Sequence, residues 1–408
     1  MTQDIHARKL AAVTLPAPSN PLETTPAEHW PVYADDEING VVQTLRSGRV
    51  NQWNGDRVFA LEQSYADYVG TGQAIALANG SLALELALRA FDIGPGDEVV
   101  VAPRTFVASA FCVALVGATP VFADVDRESG NVTAETLAAA VTSRTRALVP
   151  VHLGGWPADM PGICALARER DLLVVEDCAQ AHGAEIAGRP VGSFGDASAF
   201  SFCRDKIIST GGEGGLALFR DEDAYEWAWS FKDHGKSRAK VFAQQAEPGF
   251  RWLHDSVGTN WRMLETSAVI GLAQLAKLDE WRATRARNAD IWMDALSGIP
   301  GLRVPTINPG DMHAWYRLYC YVDRGGDNAR LRDEILRQTG ALGVRVFSGS
   351  CSEVYLEQAF AGEDLERLPV ARELGDASLA FEVHPTLDPE RLAARASAVA
   401  AVVRSVLS

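Results

Sequence analysis

The sequence is short of lysine. Of its 38 basic residues only six are Lys (Lys9, Lys206, Lys232, Lys236, Lys240 and Lys277), and wherever positive charge alone is needed the chain uses Arg. It also lacks a positive balance. Acids number 53 against 38 Lys and Arg, a formal net charge of −15 over 408 residues. That excludes broad electrostatic binding to nucleic acid or to an anionic membrane, so an anionic ligand must be held by a local site working against the overall field. No apolar run reaches the roughly 18–20 residues that span a bilayer. The opening MTQDIHARKLAAVTLPAPSNP shows no apolar signal core with a small-residue cleavage pattern behind it. Cys112, Cys164, Cys178, Cys203, Cys320 and Cys351 form no CxxC pair. They are expected to be reduced thiols of a cytoplasmic protein, each read first as a small buried apolar residue.

What is present alternates. The Pro/Ala/Thr-rich first 33 residues read as an extended arm. Ala34–Leu45 has an acidic start and apolar residues at helical spacing, a helix stopped near Gly48. From Gln73 onward short apolar runs alternate with helical patterns. Strands are expected at Ala74–Ala78, Glu98–Ala102, Pro120–Ala123, Ala147–His152, Leu172–Glu176, Ser198–Phe202 and Gly215–Phe219. Such runs separated by helices predict a mainly parallel sheet covered on both faces. Phe231–Gly258 reads as a long loop, and Arg262–Leu296 as a long helical stretch, bent or broken. A smaller α+β unit follows: strands near Trp315–Tyr321 and Gly343–Phe347, a helix around Asn328–Gln338 and a terminal helix from Pro389. The expected organisation is an arm (1–33), a large α/β domain (34–280) and a small α+β domain (281–408).

Several residues stand where chemistry is done. Asp177 directly follows the strand run LLVVE, and ligands of open α/β sheets gather at such strand ends. Taken alone it could equally cap the next turn. Lys206 lies between a strand and the run Gly211-Gly212-Glu213-Gly214-Gly215. In a chain this biased toward Arg, a Lys there suggests an amine acting as nucleophile, which a guanidinium cannot do; the plain alternative is an exposed Lys. The glycine run is followed by the strand LALF rather than a helix, which argues against a dinucleotide fingerprint. Asn79-Gly80-Ser81 joins a strand to a helix, a place that binds phosphate well or is simply capped by Ser81. Phe106 could stack on a flat ring, although a Phe is more often core. His152, His182 and Asp177 match no metal-ligand spacing, so no metal is expected. A phosphate cradle, an aromatic, a strand-end Asp and an isolated Lys together are the parts that pyridoxal phosphate needs.

The segments ANGSLALELAL, GPGDEVVVAPRTFVASA, GATPVFADVD, VEDCAQAHGAEIAGRPVGSFGDASAFSF, Lys206–Gly215 and GTNWRMLETSAVIGLAQL resemble the pyridoxal-phosphate-dependent sugar aminotransferases of the DegT/DnrJ type, within the aspartate-aminotransferase fold (fold type I). The resemblance runs from about Val32 to the C-terminus. It implies a large mainly parallel α/β domain with a smaller C-terminal α+β domain. It further implies that Lys206 forms the Schiff base, that Asp177 pairs with the ring nitrogen, that Gln180 lies near the ring hydroxyl and that Phe106 stacks on the ring. Gly80, Ser81 and Ser201 hold the phosphate, and Asn260 reaches the neighbouring subunit's cofactor in a homodimer with shared sites. The implied reaction moves nitrogen from an amino acid, L-glutamate, onto a nucleotide-linked 3-keto or 4-keto sugar. Gln180, in the string AQAHG, resembles members acting at C3 more than those acting at C4.

Three stretches depart from the family's usual pattern: Gly154-Gly155-Trp156, Phe347–Tyr355 and Ser378–Val383. All border the sugar site in the family, which leaves a keto-cyclitol aminotransferase as an alternative. A sugar dehydratase of the same fold is disfavoured by the presence of Lys206. A pyridoxal-binding regulatory protein is disfavoured by the absence of an appended basic module. Finally, Lys232, Lys236 and Lys240 fall within nine residues, with His234 and Arg238. This is either a solvated charge run or a loop whose Lys236 and Arg238 meet the substrate's diphosphate.

Overall fold

The computed structural model describes residues 20–244, 249–360 and 366–408. The apolar runs become strands β1 (Gln73–Leu77), β2 (Glu98–Val101), β3 (Thr119–Phe122), β4 (Thr145–Val149) and β5 (Leu173–Asp177), then the two-residue β6 (Glu185–Ile186) and β7 (Arg189–Pro190), then β8 (Ala197–Ser201) and β9 (Gly215–Phe219). Seven of these form one sheet in the order β1-β9-β8-β5-β4-β2-β3. Strand β9 alone runs against the rest, pairing antiparallel with β1 and β8, while the remaining pairs are parallel.

Side chains of a strand alternate between faces, and here both faces are covered. In β1, Ile75 and Leu77 join one core cluster while Ala74 and Ala76 join another. In β2, Val99 and Val101 lie on one side and Val100 on the other. This double burial explains why the strands read as continuous apolar runs rather than alternating ones. The layers are supplied by α1 (Asp35–Ser47), α2 (Arg57–Val69), α3 (Gly80–Ala90), α4 (Ala108–Leu115), α5 (Ala134–Ala140), α6 (Met160–Arg170) and α7 (Glu222–Lys232). Helix α1 ends where Gly48 adopts φ +69°, as its sequence predicts.

The stretch expected to be one loop, 231–258, contains the last two residues of α7 and a five-residue helix α8 (Arg238–Phe242). The long helical stretch is broken at Ala276–Lys277 into α9 (Glu265–Leu275) and α10 (Leu278–Leu296). Beyond it, β10 (Leu302–Arg303), β12 (Leu318–Val322) and β13 (Ser378–Phe381) form an antiparallel sheet in the order β10-β12-β13, and β11 (Asp311–Met312) pairs with β6. Helices α10, α11 (Asn328–Ala341) and α13 (Pro389–Leu407) cover this second sheet around Trp292, Leu318, Phe381 and Val399, and α12 (Pro369–Ala377) leads into β13.

The strand expected at Gly343–Phe347 does not form. The place beside β12 is taken by β13, and only Phe347 bridges to Ala380. Of the expected arm, residues 1–19 lie outside the described residues. Residues 20–33 are docked rather than extended into solvent: Glu28, 3% exposed, takes two bonds from Arg395 of α13 at 2.7 and 2.8 Å. Among the described residues no helix is long and apolar enough to cross a membrane.

Candidate active site

The C-terminal ends of β1, β5 and β8 and the start of antiparallel β9 converge on one cavity of about 720 Å³. Leu77 and Ser201 both pair with Gly215, which places the turn into α3 beside the end of β8. The approach is so close that a Cβ on Gly80 would stand 2.6 Å from Ser201 Cβ, and one on Gly215 would stand 2.1 Å from the Asn79 carbonyl oxygen. Asn79, rather than Ser81, caps α3: its side chain accepts the Leu82 N–H at 3.0 Å. The N–H groups of Gly80 and Ser81, which have no intrahelical partner, stand at the cavity wall with the Ser201 hydroxyl. This is the chemistry of a phosphate site.

Asp177 ends β5 and is 4% exposed. Its Oδ1 accepts the Ala179 N–H at 3.1 Å and its Oδ2 accepts the Ser109 hydroxyl at 2.6 Å. Gln180 is buried on the next turn. Its Oε1 accepts the Gly154 N–H at 2.8 Å, which leaves the NH₂ as the donor end of an amide that lines the cavity. The unusual Gly154-Gly155 pair is there for space: at φ +66° and +92° these residues pass so near the lead into β12 that a Cβ on Gly154 would stand 2.9 Å from the Tyr319 ring. Phe106 is 63% exposed at the cavity wall, an unburied ring that a core role does not explain.

Lys206 lies across the cavity, its Nζ 5.0 Å from the centroid of the Tyr316 ring. Its carbonyl accepts the Trp30 indole N–H at 2.8 Å, and Tyr33 meets Ser209 three residues on. The docked segment therefore backs the lysine turn. Burial acts to raise the neighbouring Asp205 carboxyl, but the Lys206 charge and the Tyr316 hydroxyl, which donates to it, outweigh burial and hold it below the usual carboxylate range. His182 is fully buried between the Tyr65 hydroxyl (2.6 Å) and the Ser201 carbonyl (2.8 Å). Burial pushes its pKa down to about 4, so it is a neutral strut behind the phosphate wall.

Of the far wall, Phe347 and Ser350 fall in the stretch Phe347–Tyr355 that the resemblance places beside the sugar, whereas Tyr316, Arg317 and Tyr319 were missed. Those three read as part of an ordinary strand, and only its apposition to the sheet edge gives them a role. Thr105 and Ser109 were also missed as polar groups, although they sit four residues apart in the segment PRTFVASA.

Three expected site residues are not brought to this cavity. Asn260 is exposed and bridges backbone to backbone with Asp233. Lys236 pairs with Asp233 at 3.0 Å, and Arg238 with Glu226 at 2.5 Å. Within one chain their charges are already engaged. His152, Glu176 and Cys178 offer clustered ligand atoms, yet Glu176 accepts N–H groups of Gly192 (2.8 Å), Phe194 (2.7 Å) and Gly195 (2.7 Å). With His152 Nδ1 accepting the Ala158 N–H and Nε2 facing Glu176, this cluster fastens a loop to β5.

Comparison with known proteins agrees with this geometry. The family described as the DegT/DnrJ/EryC1/StrS aminotransferase family matches residues 31–400. The chain is 35% identical over 379 residues to a UDP-N-acetyl-3-dehydro-alpha-D-glucosamine 3-aminotransferase of Acidithiobacillus ferrooxidans, covering 93% of this chain and 96% of that one. It is 34% identical over 350 residues to a dTDP-3-amino-3,4,6-trideoxy-alpha-D-glucose transaminase of Streptomyces venezuelae, covering 85% and 87%. A solved aminotransferase from Psychrobacter cryohalolentis superimposes with a TM-score of 0.90 at 47% identity, over 93% of this chain and 99% of that one.

Proposed function

Because the chain belongs to the DegT/DnrJ/EryC1/StrS aminotransferase family, and is thus a pyridoxal 5′-phosphate enzyme of fold type I, we propose that it transfers the amino group of L-glutamate to the C3 keto group of a nucleotide-linked sugar. The observation that carries the chemistry is the convergence of Lys206, Asp177 and the α3 N-terminus on one cavity. The C3 position is supported by Gln180 in AQAHG and by the ring position in the names of the two curated relatives.

The cavity fits the cofactor. Gly80, Ser81 and Ser201 would hold its phosphate where an added Cβ at Gly80 or Gly215 would intrude. Phe106 would cover the ring, Gln180 would donate to its hydroxyl and Asp177 would pair with its nitrogen. When bound, the cofactor supplies an electron-accepting ring that eases removal of an α-proton. Asp177 would pair with the ring nitrogen through its carboxylate. Lys206 Nζ would anchor the cofactor and, when free, would stand as the base that takes the proton from the donor's α-carbon and the acid that later gives one back. Arg317, the cavity's second cation, would take the donor's carboxylate, which Arg can grip with two parallel bonds.

The ionisable lining comprises Glu85, Asp177, Asp205 and Glu213 against Lys206 and Arg317. One chain alone therefore offers an anionic diphosphate no surplus of positive charge. This supports a homodimer in which Asn260, bridged to the Asp233 that holds Lys236, serves the second copy's cavity together with Lys236 and Arg238. The same reading keeps the division into a large unit and a small one near residue 280, the sugar entering between them.

The test is a panel of nucleotide-linked keto-sugars with glutamate as donor, read by mass spectrometry, together with borohydride reduction of the purified protein. The C3 amine should form, and the cofactor should be trapped on the peptide containing Lys206. Trapping elsewhere, or full transamination by Lys206→Arg, overturns the assignment.

A further inference from the structure

We propose that Thr105 and Ser109 form a one-way hydroxyl relay that holds Asp177 as an anion, which makes both of them positioning residues for the transamination. The proposal rests on the reading of Asp177 as partner of the cofactor's ring nitrogen. Thr105 and Ser109 are each 1% exposed. Ser109 Oγ donates to Asp177 Oδ2 at 2.6 Å, and the two hydroxyls lie 2.7 Å apart.

The direction of the relay follows from the charge at its end. An ionised carboxylate only accepts, and a serine hydroxyl has a single proton to give. That proton goes to Asp177, so Ser109 must accept from Thr105. If Asp177 took up a proton and donated it to Ser109, the Ser109 proton would lose its carboxylate acceptor. Whether Ser109 then turned that proton to Thr105 or went on accepting from it, one hydroxyl proton of the pair would be left with no acceptor among the described residues. A buried unsatisfied donor is costly, and linked hydrogen bonds strengthen one another when they all point the same way. The relay therefore favours the charged carboxylate.

The backbone keeps the relay in register. Thr105 lies three residues before α4 and Ser109 in its first turn. The Thr105 N–H donates to the Cys351 carbonyl at 3.0 Å, and the Val354 N–H donates to the Pro103 carbonyl at 3.0 Å, so the backbone leading into Thr105 is clamped at two points. With Ala179 N–H on Oδ1, both carboxylate oxygens have fixed donors, and the plane of the carboxylate is set before any ligand arrives.

The experiment compares holoenzyme carrying Ser109→Ala, Thr105→Val (same shape, no hydroxyl), Thr105→Ser (hydroxyl kept) and Asp177→Asn. It measures the rates of both half-reactions, KM for glutamate, the pH titration of the bound cofactor's visible absorption band and the cofactor affinity of the apoprotein. Ser109→Ala should slow both half-reactions by about tenfold or more, the order expected when a charge-assisted hydrogen bond is lost, with KM little changed. Thr105→Val should cause a smaller loss. Both should move the midpoint of the absorption titration, and Thr105→Ser should restore it. Unaltered rates with an unmoved band in Ser109→Ala and Thr105→Val overturn the relay, as does Thr105→Ser matching Thr105→Val, which would make the effect one of packing. Asp177→Asn separates the two levels. Wild-type turnover in that variant removes the reading of Asp177 itself; a dead Asp177→Asn beside unaffected relay variants removes only the relay.

Discussion

Arg317 stands between the Tyr316 ring (5.2 Å) and the Phe347 ring (5.5 Å) and has only a stretched contact, 3.4 Å, to Glu382. A guanidinium held by ring faces and loosely paired has donors to spare for a carboxylate. Arg317→Gln should raise KM for the amino donor by about tenfold or more, the scale of one charge-assisted pair, with the sugar half-reaction nearly unchanged; stopped-flow measurement of the two half-reactions checks it. Equal losses in both would remove the assignment. This residue was not legible in the sequence, because one Arg among 38 basic residues carries no mark. Lys206 was legible for the opposite reason, being one of six Lys in a chain that otherwise uses Arg. Asp177 could be placed from its strand-end position, and Gln180 only from the family resemblance. The hydroxyls of Thr105 and Ser109 could not, since Ser and Thr at the start of a helix are common and only the distance to Asp177 sets these two apart.

At the scale of elements, the site depends on how near α3 comes to β8 and β9. Gly80→Ala puts a methyl group 2.6 Å from Ser201 Cβ, and overpacking of this kind costs roughly 1–3 kcal/mol. Cofactor affinity should fall about ten- to hundredfold, read by equilibrium dialysis of the apoprotein, and the apoprotein should lose stability by no more than that same cost. Unchanged affinity would mean that the cradle is looser than its contacts. The strands of the large sheet were readable because double burial writes them as unbroken apolar runs. Helices α2 and α7 were not. Each mixes charged and aromatic residues, and α7 (EDAYEWAWSFK) ends inside a basic stretch that looks like solvated loop. The order of neighbours in the small sheet was equally hidden, so Gly343–Phe347 and Ser378–Phe381 exchanged roles. The lysine-rich stretch remains an element with a testable duty. Neutralising Lys236 and Arg238 together should raise KM for the sugar nucleotide roughly tenfold and spare the glutamate half-reaction. If unfolding is the sole change, their ion pairs with Asp233 and Glu226 are the whole of their role.

For the whole molecule, acid is the sensitive direction. Burial pushes His182 down to about 4 and both His313 and His384 to about 3, from an ordinary 6.5. A histidine whose folded pKa is depressed binds fewer protons than the unfolded chain between the two values, so stability is lost as pH falls through that window. Glu28 extends the loss below pH 4.5: burial opposes ionisation, but its bonds from Arg395 and Thr25 outweigh that and lower it to about 2. Buried Glu62 acts the other way, since burial raises it to about 7 and it gains protons on folding between 7 and 4.5. With three histidines against one glutamate, Tm should decline from pH 6.5 toward 4, followed by calorimetry, and His313→Gln should flatten the decline. A flat Tm over that range would mean that these rings do not stay neutral.

The bonds from Arg395 to Glu28, with Arg391 at 2.6 Å from the Glu23 carbonyl, join residues more than 360 positions apart. During synthesis the chain emerges from its N-terminus, so the segment around Trp30 leaves the ribosome long before its anchor on α13 is made. The segment whose Trp30 backs the Lys206 turn is therefore tied down only once α13 has emerged. A ribosome stalled before residue 389 holds a large sheet whose Lys206 turn is backed by a segment still without its anchor.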